Sequence, residues 1–193
     1  VVFTHNQLTG TIPAEPGGKQ IQRLELNNNL LSGSIPEELQ NIRNLRILKL
    51  NNNQLTGEIP LGLIPVICYS VDLSSNNLTG SIPSDLGNNS TLVHVNLSNN
   101  ELTGQIPSTI GNMAGLQSLE LDSNQLTGPM PSSLSRLSRL TRLNLMNNQL
   151  SGPVPDDLCS LPELQYLQLG NNQFTFDGME CIGQKDNTSI FAN

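Results

Sequence analysis

The apolar residues of this chain recur in a phrase that repeats every 23 or 24 residues. Within the phrase, two apolar residues alternate with polar ones before an asparagine and a leucine, as in the run from Leu119 to Leu126. Such alternation predicts a short strand with one buried face. The asparagines that mark the phrase are Asn6, Asn29, Asn53, Asn76, Asn100, Asn124, Asn148 and Asn172. A fixed period of this length predicts a solenoid, whose coils are stable only when stacked on one another.

Glycine and proline follow each phrase with the same period. Glycine suits a tight bend, and proline ends sheet pairing because it lacks an N–H group. The polar residues after each proline, such as Ser84 and Asp85, fit the first turn of a short helix, where open amides favour an oxygen acceptor. We also expect the stacked asparagines to form a hydrogen-bonded spine, because their amides can bond the adjoining loops. The glycines are Gly10, Gly33, Gly57, Gly80, Gly104, Gly128 and Gly152, and the prolines are Pro13, Pro36, Pro60, Pro83, Pro107, Pro131 and Pro155.

Two coils, at residues 14–24 and 61–71, are one residue shorter than the others. Both shortenings fall after the proline, on the convex side. We expect an irregular loop to replace the helical turn in each.

The block Leu-Thr-Gly-x-Ile-Pro, found at Leu55–Pro60 and Leu102–Pro107, carries a family resemblance. The chain resembles the plant-type extracellular leucine-rich repeat family, which includes ectodomains of receptor-like kinases and receptor-like proteins, and polygalacturonase-inhibiting proteins. The resemblance implies an α/β solenoid over residues 1–176, with a C-terminal cap or tail at 177–193. It implies a right-handed superhelix with a parallel concave β-sheet, a short second strand after each glycine, and 3-10 or short helices on the convex side.

Net charge and hydropathy narrow the classes of partner. A net charge of −7 disfavours nucleic acid, because an acidic body repels phosphates. No apolar run reaches the roughly 18–20 residues of a membrane span. The first residues, Val1 to Asn6, already match the repeat. We therefore expect a chain that begins inside a strand without an amino-terminal cap, as an excised fragment or a processed chain would.

The three cysteines predict one buried thiol and one disulfide. Cys68 replaces a repeat leucine, so it should be buried and inert. Cys181 lies two residues short of one period after Cys159, and stacked coils about 4.8 Å apart suit a disulfide. We predict the bridge Cys159–Cys181, with two free thiols as the alternative. A bridge implies an oxidising, extracellular setting, secreted or at the cell surface.

In that setting, Asn-x-Ser/Thr motifs are candidate glycosylation sites. They lie at Asn77, Asn88, Asn89, Asn96 and Asn187. An asparagine-rich chain produces several such motifs by chance, so they support an extracellular location only weakly.

The outward-facing strand residues are the candidate ligand-binding set. In solenoids of this type the concave sheet is the usual ligand surface. The alternative is a solvated face whose residues only keep the chain soluble. The candidates are Arg23, Glu25, Arg46, Lys49, Tyr69, Asp72, His94, Asn96, Glu120, Asp122, Arg142, Asn144, Tyr166 and Gln168.

These features predict a binding module without catalysis, cofactor or metal. The only histidines, His5 and His94, lie about four coils apart, and no nucleophile is paired with a base. We expect a protein or peptide ligand, with a cell-wall glycan as a second class. One alternative is ice binding by the polar column Asn28, Asn52, Ser75, Asn99, Ser123, Asn147 and Asn171. Another is inhibition of a pectinase, the activity of the polygalacturonase-inhibiting branch.

Overall fold

The computed structural model describes residues 1–14, 20–175 and 189–191 as one stack of coils. One strand from each coil joins an eight-stranded parallel sheet, here called the concave sheet. Neighbouring strands pair in register, with Leu119 opposite Val95 on one side and Leu143 on the other. Its strands are Arg23–Glu25, Ile47–Lys49, Ser70–Asp72, His94–Asn96, Ser118–Glu120, Arg142–Asn144, Tyr166–Gln168 and Ser189–Phe191. The predicted parallel sheet is confirmed, and Ser189–Phe191 extends it beyond the predicted boundary at residue 176.

Second strands form two further parallel sheets of four strands each. The resemblance places them after each glycine, but seven of the eight contain the glycine or end just before it, as in Gln54–Glu58 and Asn77–Thr79. The eighth, Gln173–Thr175, is followed by Phe176 instead. The glycine can pair within the strand because it supplies a positive φ, 78° at Gly57, that other residues rarely adopt. These strands are Thr9–Thr11, Leu30–Ser34, Gln54–Glu58, Asn77–Thr79, Thr103–Gly104, Gln125–Pro129, Gln149–Pro153 and Gln173–Thr175.

The asparagine spine is present, and Asn100 shows its geometry. Its side-chain Nδ2 donates to the carbonyls of Leu97 (3.1 Å) and Ser98 (3.2 Å) in its own coil and of Leu73 (3.1 Å) in the coil before. Its Oδ1 accepts from the Leu78 amide at 3.0 Å. Seven of the eight spine asparagines tie two coils together in this way. Asn6 does not fit the prediction, because its Nδ2 bonds only Thr4 O of its own coil among the described residues.

Five 3-10 helices line the convex side of the described stack. They confirm the predicted helical turns after proline and have the bounds Glu37–Asn41, Ser84–Asn88, Ser108–Asn112, Ser132–Arg136 and Asp156–Ser160. The expected side-chain caps are absent from all five. Hydroxyls near the helix starts bond the preceding coil instead. Thr109 Oγ1 donates to Ser84 O, and Ser133 Oγ to Ser108 O, both at 2.6 Å.

The short coil at residues 61–71 contains an irregular loop where its neighbours have a helix, as predicted. Asn89 of the next coil supports this loop. It is 1% exposed, and its Nδ2 donates to the carbonyls of Pro65 (2.7 Å) and Cys68 (3.2 Å). Its Oδ1 accepts from the amides of Thr91 and Leu92 at 2.9 and 3.2 Å. The structure thus argues against glycosylation of Asn89, because the amide that would carry a glycan is buried and bonded.

The core is a single continuous column of leucine, isoleucine, valine and methionine side chains between the sheets and the helices. Cys68 is part of it, as predicted, with no exposed surface. Burial raises the pKa of the Cys68 thiol to about 11, so the thiol stays protonated at neutral pH. Cys181 lies outside the described residues, so the bridge Cys159–Cys181 stays a prediction.

Candidate functional site: the concave face

In the seven concave strands from Arg23–Glu25 to Tyr166–Gln168, the middle residue lies in the core and the first and third residues face outward. Thirteen of the fourteen predicted site residues are exposed or half-buried there or just beside the strand. The exception is Glu25, which is 7% exposed because its carboxylate is bonded by Arg23 of the same strand, with Nε 2.7 Å away. Glu25 therefore holds Arg23 in place and is not itself displayed.

One cluster crosses the strands of the C-terminal half of the sheet. The Arg142 guanidinium lies over the Tyr166 ring, with Cζ 3.8 Å from the ring centroid, and forms an ion pair with Glu120. Ser118 Oγ donates to the same carboxylate at 3.2 Å. The Arg142 side chain keeps 46% of its surface exposed. Aromatic and arginine side chains dominate binding hot spots, and here both are fixed in position before any ligand arrives.

Asp122 and Asn144 continue this cluster toward the turn. Asn144 Nδ2 donates to Asp122 Oδ1 at 2.9 Å across the strands. Burial, and then the nearby Glu120 carboxylate, raise the pKa of Asp122 above its ordinary value of 3.8. We name the five residues Glu120, Asp122, Arg142, Asn144 and Tyr166 the concave cluster.

The middle of the face has a different repeated arrangement. Ser74 donates through its amide and hydroxyl to Asp72 Oδ1 at 3.1 and 2.6 Å. Ser98 makes the same two bonds to Asn96 Oδ1 at 3.0 and 2.7 Å. His94, the first residue of the strand that contains Asn96, is exposed. These bonds leave the remaining carboxylate oxygen of Asp72 and the amide nitrogen of Asn96 available to a ligand.

The polar column proposed for ice binding has a backbone role that the sequence pattern does not reveal. All seven of its residues have φ between 54° and 57°. Asparagine tolerates this left-handed region better than most residues. The backbone therefore explains why asparagine recurs there, and the ladder loses its value as an argument for ice binding.

Positive charge is unevenly distributed along the chain. Residues 50–135 contain no lysine or arginine but six carboxylates. The basic residues that flank this acidic middle lie in two groups, 43–49 and 136–142. The face thus offers an acidic centre between Lys49 and Arg142.

The sequence profiles of the leucine rich repeat family match residues 69–126 and 114–174, and further profiles of this family match 20–42 and 44–65. The chain belongs to the leucine-rich repeat family. The fold and the family are those of binding modules rather than of enzymes. No curated protein sequence that was compared matches the chain.

This leucine-rich repeat chain is similar to solved structures of plant receptors. They include the plant peptide hormone receptor RGFR1 in complex with RGF2 (32% identity, TM-score 0.93, 97% of this chain and 31% of that chain). Another is the PEPR1–AtPEP1 structure (33% identity, TM-score 0.92, 99% of this chain and 27% of that chain). A third is the Arabidopsis receptor kinase HAESA in complex with the peptide hormone IDA and the co-receptor SERK1 (35% identity, TM-score 0.88, 90% of this chain and 30% of that chain). The plant-type extracellular class is thereby confirmed, and the chain spans less than a third of the length of these receptors.

Other surface features bear on location and chemistry. Asn77 and Asn88 are exposed and Asn96 is half-buried in the concave sheet, while Asn187 lies outside the described residues. The 3-10 helices are five residues long, and no helix in the described part of the chain could cross a membrane. Residues 1–14, 20–175 and 189–191 contain no group of acidic, histidine and cysteine side chains placed to bind a metal.

Proposed function

We propose that this chain is a peptide-binding part of a plant receptor-type ectodomain, and that it holds its ligand on the concave face. The observation that carries the proposal is the concave cluster, in which Tyr166, Arg142 and Glu120 are locked together across neighbouring strands. Peptide hormones are bound by the RGFR1 and HAESA structures that the chain resembles. An extracellular location follows from the same proposal.

The charge pattern describes the ligand further. Asp72, Glu120 and Asp122 lie between Lys49 and Arg142 along the face. An extended peptide with a basic middle and acidic or carboxylate ends would match these charges in order. Crossing the strands from Lys49 to Arg142 takes four steps of about 4.8 Å, so such a peptide would cover roughly 20 Å.

Charge reversal tests the surface. Short peptides enriched on the purified chain from a phage-displayed random library provide the probe. Glu120→Lys and Arg142→Glu should each weaken their binding by roughly tenfold or more in a fluorescence titration, because each leaves its partner charge unpaired beside the ligand. Glu101→Lys and Arg136→Glu make the same charge changes at exposed positions outside the concave sheet and should leave the affinity unchanged.

Losses from the control variants as large as those from the concave variants would show that binding does not depend on the charges of the concave face, and would refute the concave assignment. Unfolding midpoints in urea, measured for all four variants, separate a loss of binding from a loss of folding.

A further inference from the structure

An exposed apolar group lies just before the concave strand Ser70–Asp72. Val66 is 63% exposed, Ile67 39% and Tyr69 40%. Coils on either side have polar or small residues at the two positions of Val66 and Ile67, namely Arg43-Asn44, Ser90-Thr91, Ala114-Gly115 and Ser138-Arg139. Single exposed apolar residues are ordinary, but a contiguous group marks a surface that meets something else.

The shortened coil explains part of this exposure. Pro65 O accepts from the Cys68 amide at 2.9 Å, as Ile42 O accepts from Leu45 at 3.1 Å. Pro65 therefore takes the place of the buried Ile42, and Val66 becomes the first residue outside the core. The shortening does not account for an aliphatic side chain at Ile67 or an aromatic one at Tyr69.

The backbone beneath these side chains is held firmly. Thr91 Oγ1 lies 2.8 Å from the carbonyl oxygens of both Val66 and Cys68, which share its single hydroxyl hydrogen. The Tyr69 amide donates to Arg46 O at 2.9 Å. A ligand would meet a surface already in its bound conformation, so binding would cost little ordering entropy.

Two cations stand beside the apolar group. Arg46 pairs with the position of Tyr69 in the adjacent strand, and Arg43 occupies the position of Val66 one coil earlier. Both arginines are exposed, and neither forms an ion pair with any described residue, whereas Arg23 and Arg142 are each bound to a glutamate. Unpaired arginines on an acidic chain offer a place for carboxylates from a partner.

We propose that Arg43, Arg46, Val66, Ile67 and Tyr69, here named the flank patch, bind a protein segment that carries an apolar side chain next to carboxylates. The apolar side chain covers Val66, Ile67 and Tyr69, and the carboxylates face the two arginines. The patch lies three strands from Arg142, roughly 14 Å along the sheet, so it is a contact separate from the concave cluster. It goes beyond the proposed function because it does not require a ligand on the concave cluster.

The test selects peptides that bind the wild-type chain and removes those that also bind a variant without the apolar side chains of the flank patch. A phage-displayed library of random short peptides is enriched on the wild-type chain and depleted on the Val66→Ser/Ile67→Ser variant. We expect the survivors to combine aspartate or glutamate with a large apolar residue. Synthetic survivors should bind at least roughly tenfold more weakly to Arg43→Glu/Arg46→Glu and to the depletion variant.

Matched controls remove similar groups elsewhere. Leu61→Ser deletes an apolar side chain that is 68% exposed on the convex part of the same coil, and Arg136→Glu reverses an exposed arginine far along the stack. Neither should change the affinity of the survivors. All substituted residues are exposed, so unfolding midpoints should match that of the wild-type chain.

Four outcomes overturn the flank patch. The first is a subtraction that leaves no peptide. The second is a set of surviving peptides without acidic residues. The third is a set of surviving peptides whose affinity is unchanged by Arg43→Glu/Arg46→Glu. Peptides that lose affinity only with Glu120→Lys or Arg142→Glu would refute the flank patch and support the concave cluster. Peptides with the reverse pattern would support the flank patch alone.

Discussion

Asparagine serves two different purposes at adjacent positions of each repeat. Asn100 is buried and bridges two coils through its amide, whereas Asn99 is exposed and adopts φ 54°. Sequence analysis identified the first purpose, because a buried amide in a periodic position must bond backbone groups. It missed the second, because a positive φ leaves no hydrophobic pattern.

The spine predicts a large effect at Asn100. Replacing it by leucine leaves the Leu78 amide and the carbonyls that Asn100 bonded without hydrogen-bond partners. We therefore expect Asn100→Leu to lower the free energy of unfolding by about 3 kcal/mol or more. Urea unfolding followed by circular dichroism measures this. Asn112→Leu, the same change at an exposed position, should stay within about 0.5 kcal/mol. Equal effects would contradict the spine.

The left-handed column predicts a dependence on backbone rather than on side chain. Asn99→Val should cost about 1–2 kcal/mol of unfolding free energy, because a β-branched residue is strained at φ 54°. Asn99→Gly should stay within about 0.5 kcal/mol, since glycine adopts this conformation freely. Thermal unfolding of both variants measures the two changes in stability. A glycine variant as unstable as the valine variant would show that the side-chain amide of Asn99 is needed.

Asp122 predicts a pH effect with a definite sign. Its folded pKa is raised, so between the unfolded value near 3.8 and the folded value the folded state binds more protons, and stability falls as the pH rises. Asp122→Asn should remove this slope and gain stability relative to wild type above that window, with the gain shrinking as the pH falls through it. Urea midpoints across acidic pH measure the difference. A gain that grows on acidification would contradict the raised pKa.

At the scale of elements, the closeness of the 3-10 helices depends on small residues. A Cβ added at Gly111 would lie 2.3 Å from Ser133 O. We expect Gly111→Ala to destabilise the chain by about 2 kcal/mol or more, because the coils must move apart. The position one coil later is Ser135, where a side chain is already accommodated, so Ser135→Ala should cost far less. Calorimetric unfolding of the two variants provides the comparison.

The elements were largely predictable because each depends on residues of its own repeat. Strand, bend and helix follow from Leu-x-Leu, glycine and proline, and the irregular loop at 61–71 follows from one missing residue. The burial of Glu25 and Asn89 could not be predicted because it depends on side-chain contacts that the repeat pattern does not encode. Arg23 binds the Glu25 carboxylate, and the loop around Pro65 requires the Asn89 amide.

At the scale of the whole molecule, stacking turns variable strand positions into one continuous face. Register alone places Tyr166 beside Arg142, and the strand alternation turns both outward. The sequence therefore predicted which residues share the face. It could not predict that Arg142 bonds Glu120 rather than a carboxylate elsewhere, because that choice depends on side-chain conformation. The same stack brings Arg46 beside Tyr69, which the flank patch requires.

The most direct test of the account is a crystal structure of the chain with the tightest peptide selected on it. We expect the peptide to run across the concave strands and to contact Arg142, Tyr166 and Glu120. A peptide seated on the convex 3-10 helices, with the concave cluster left in contact with solvent alone, would contradict it.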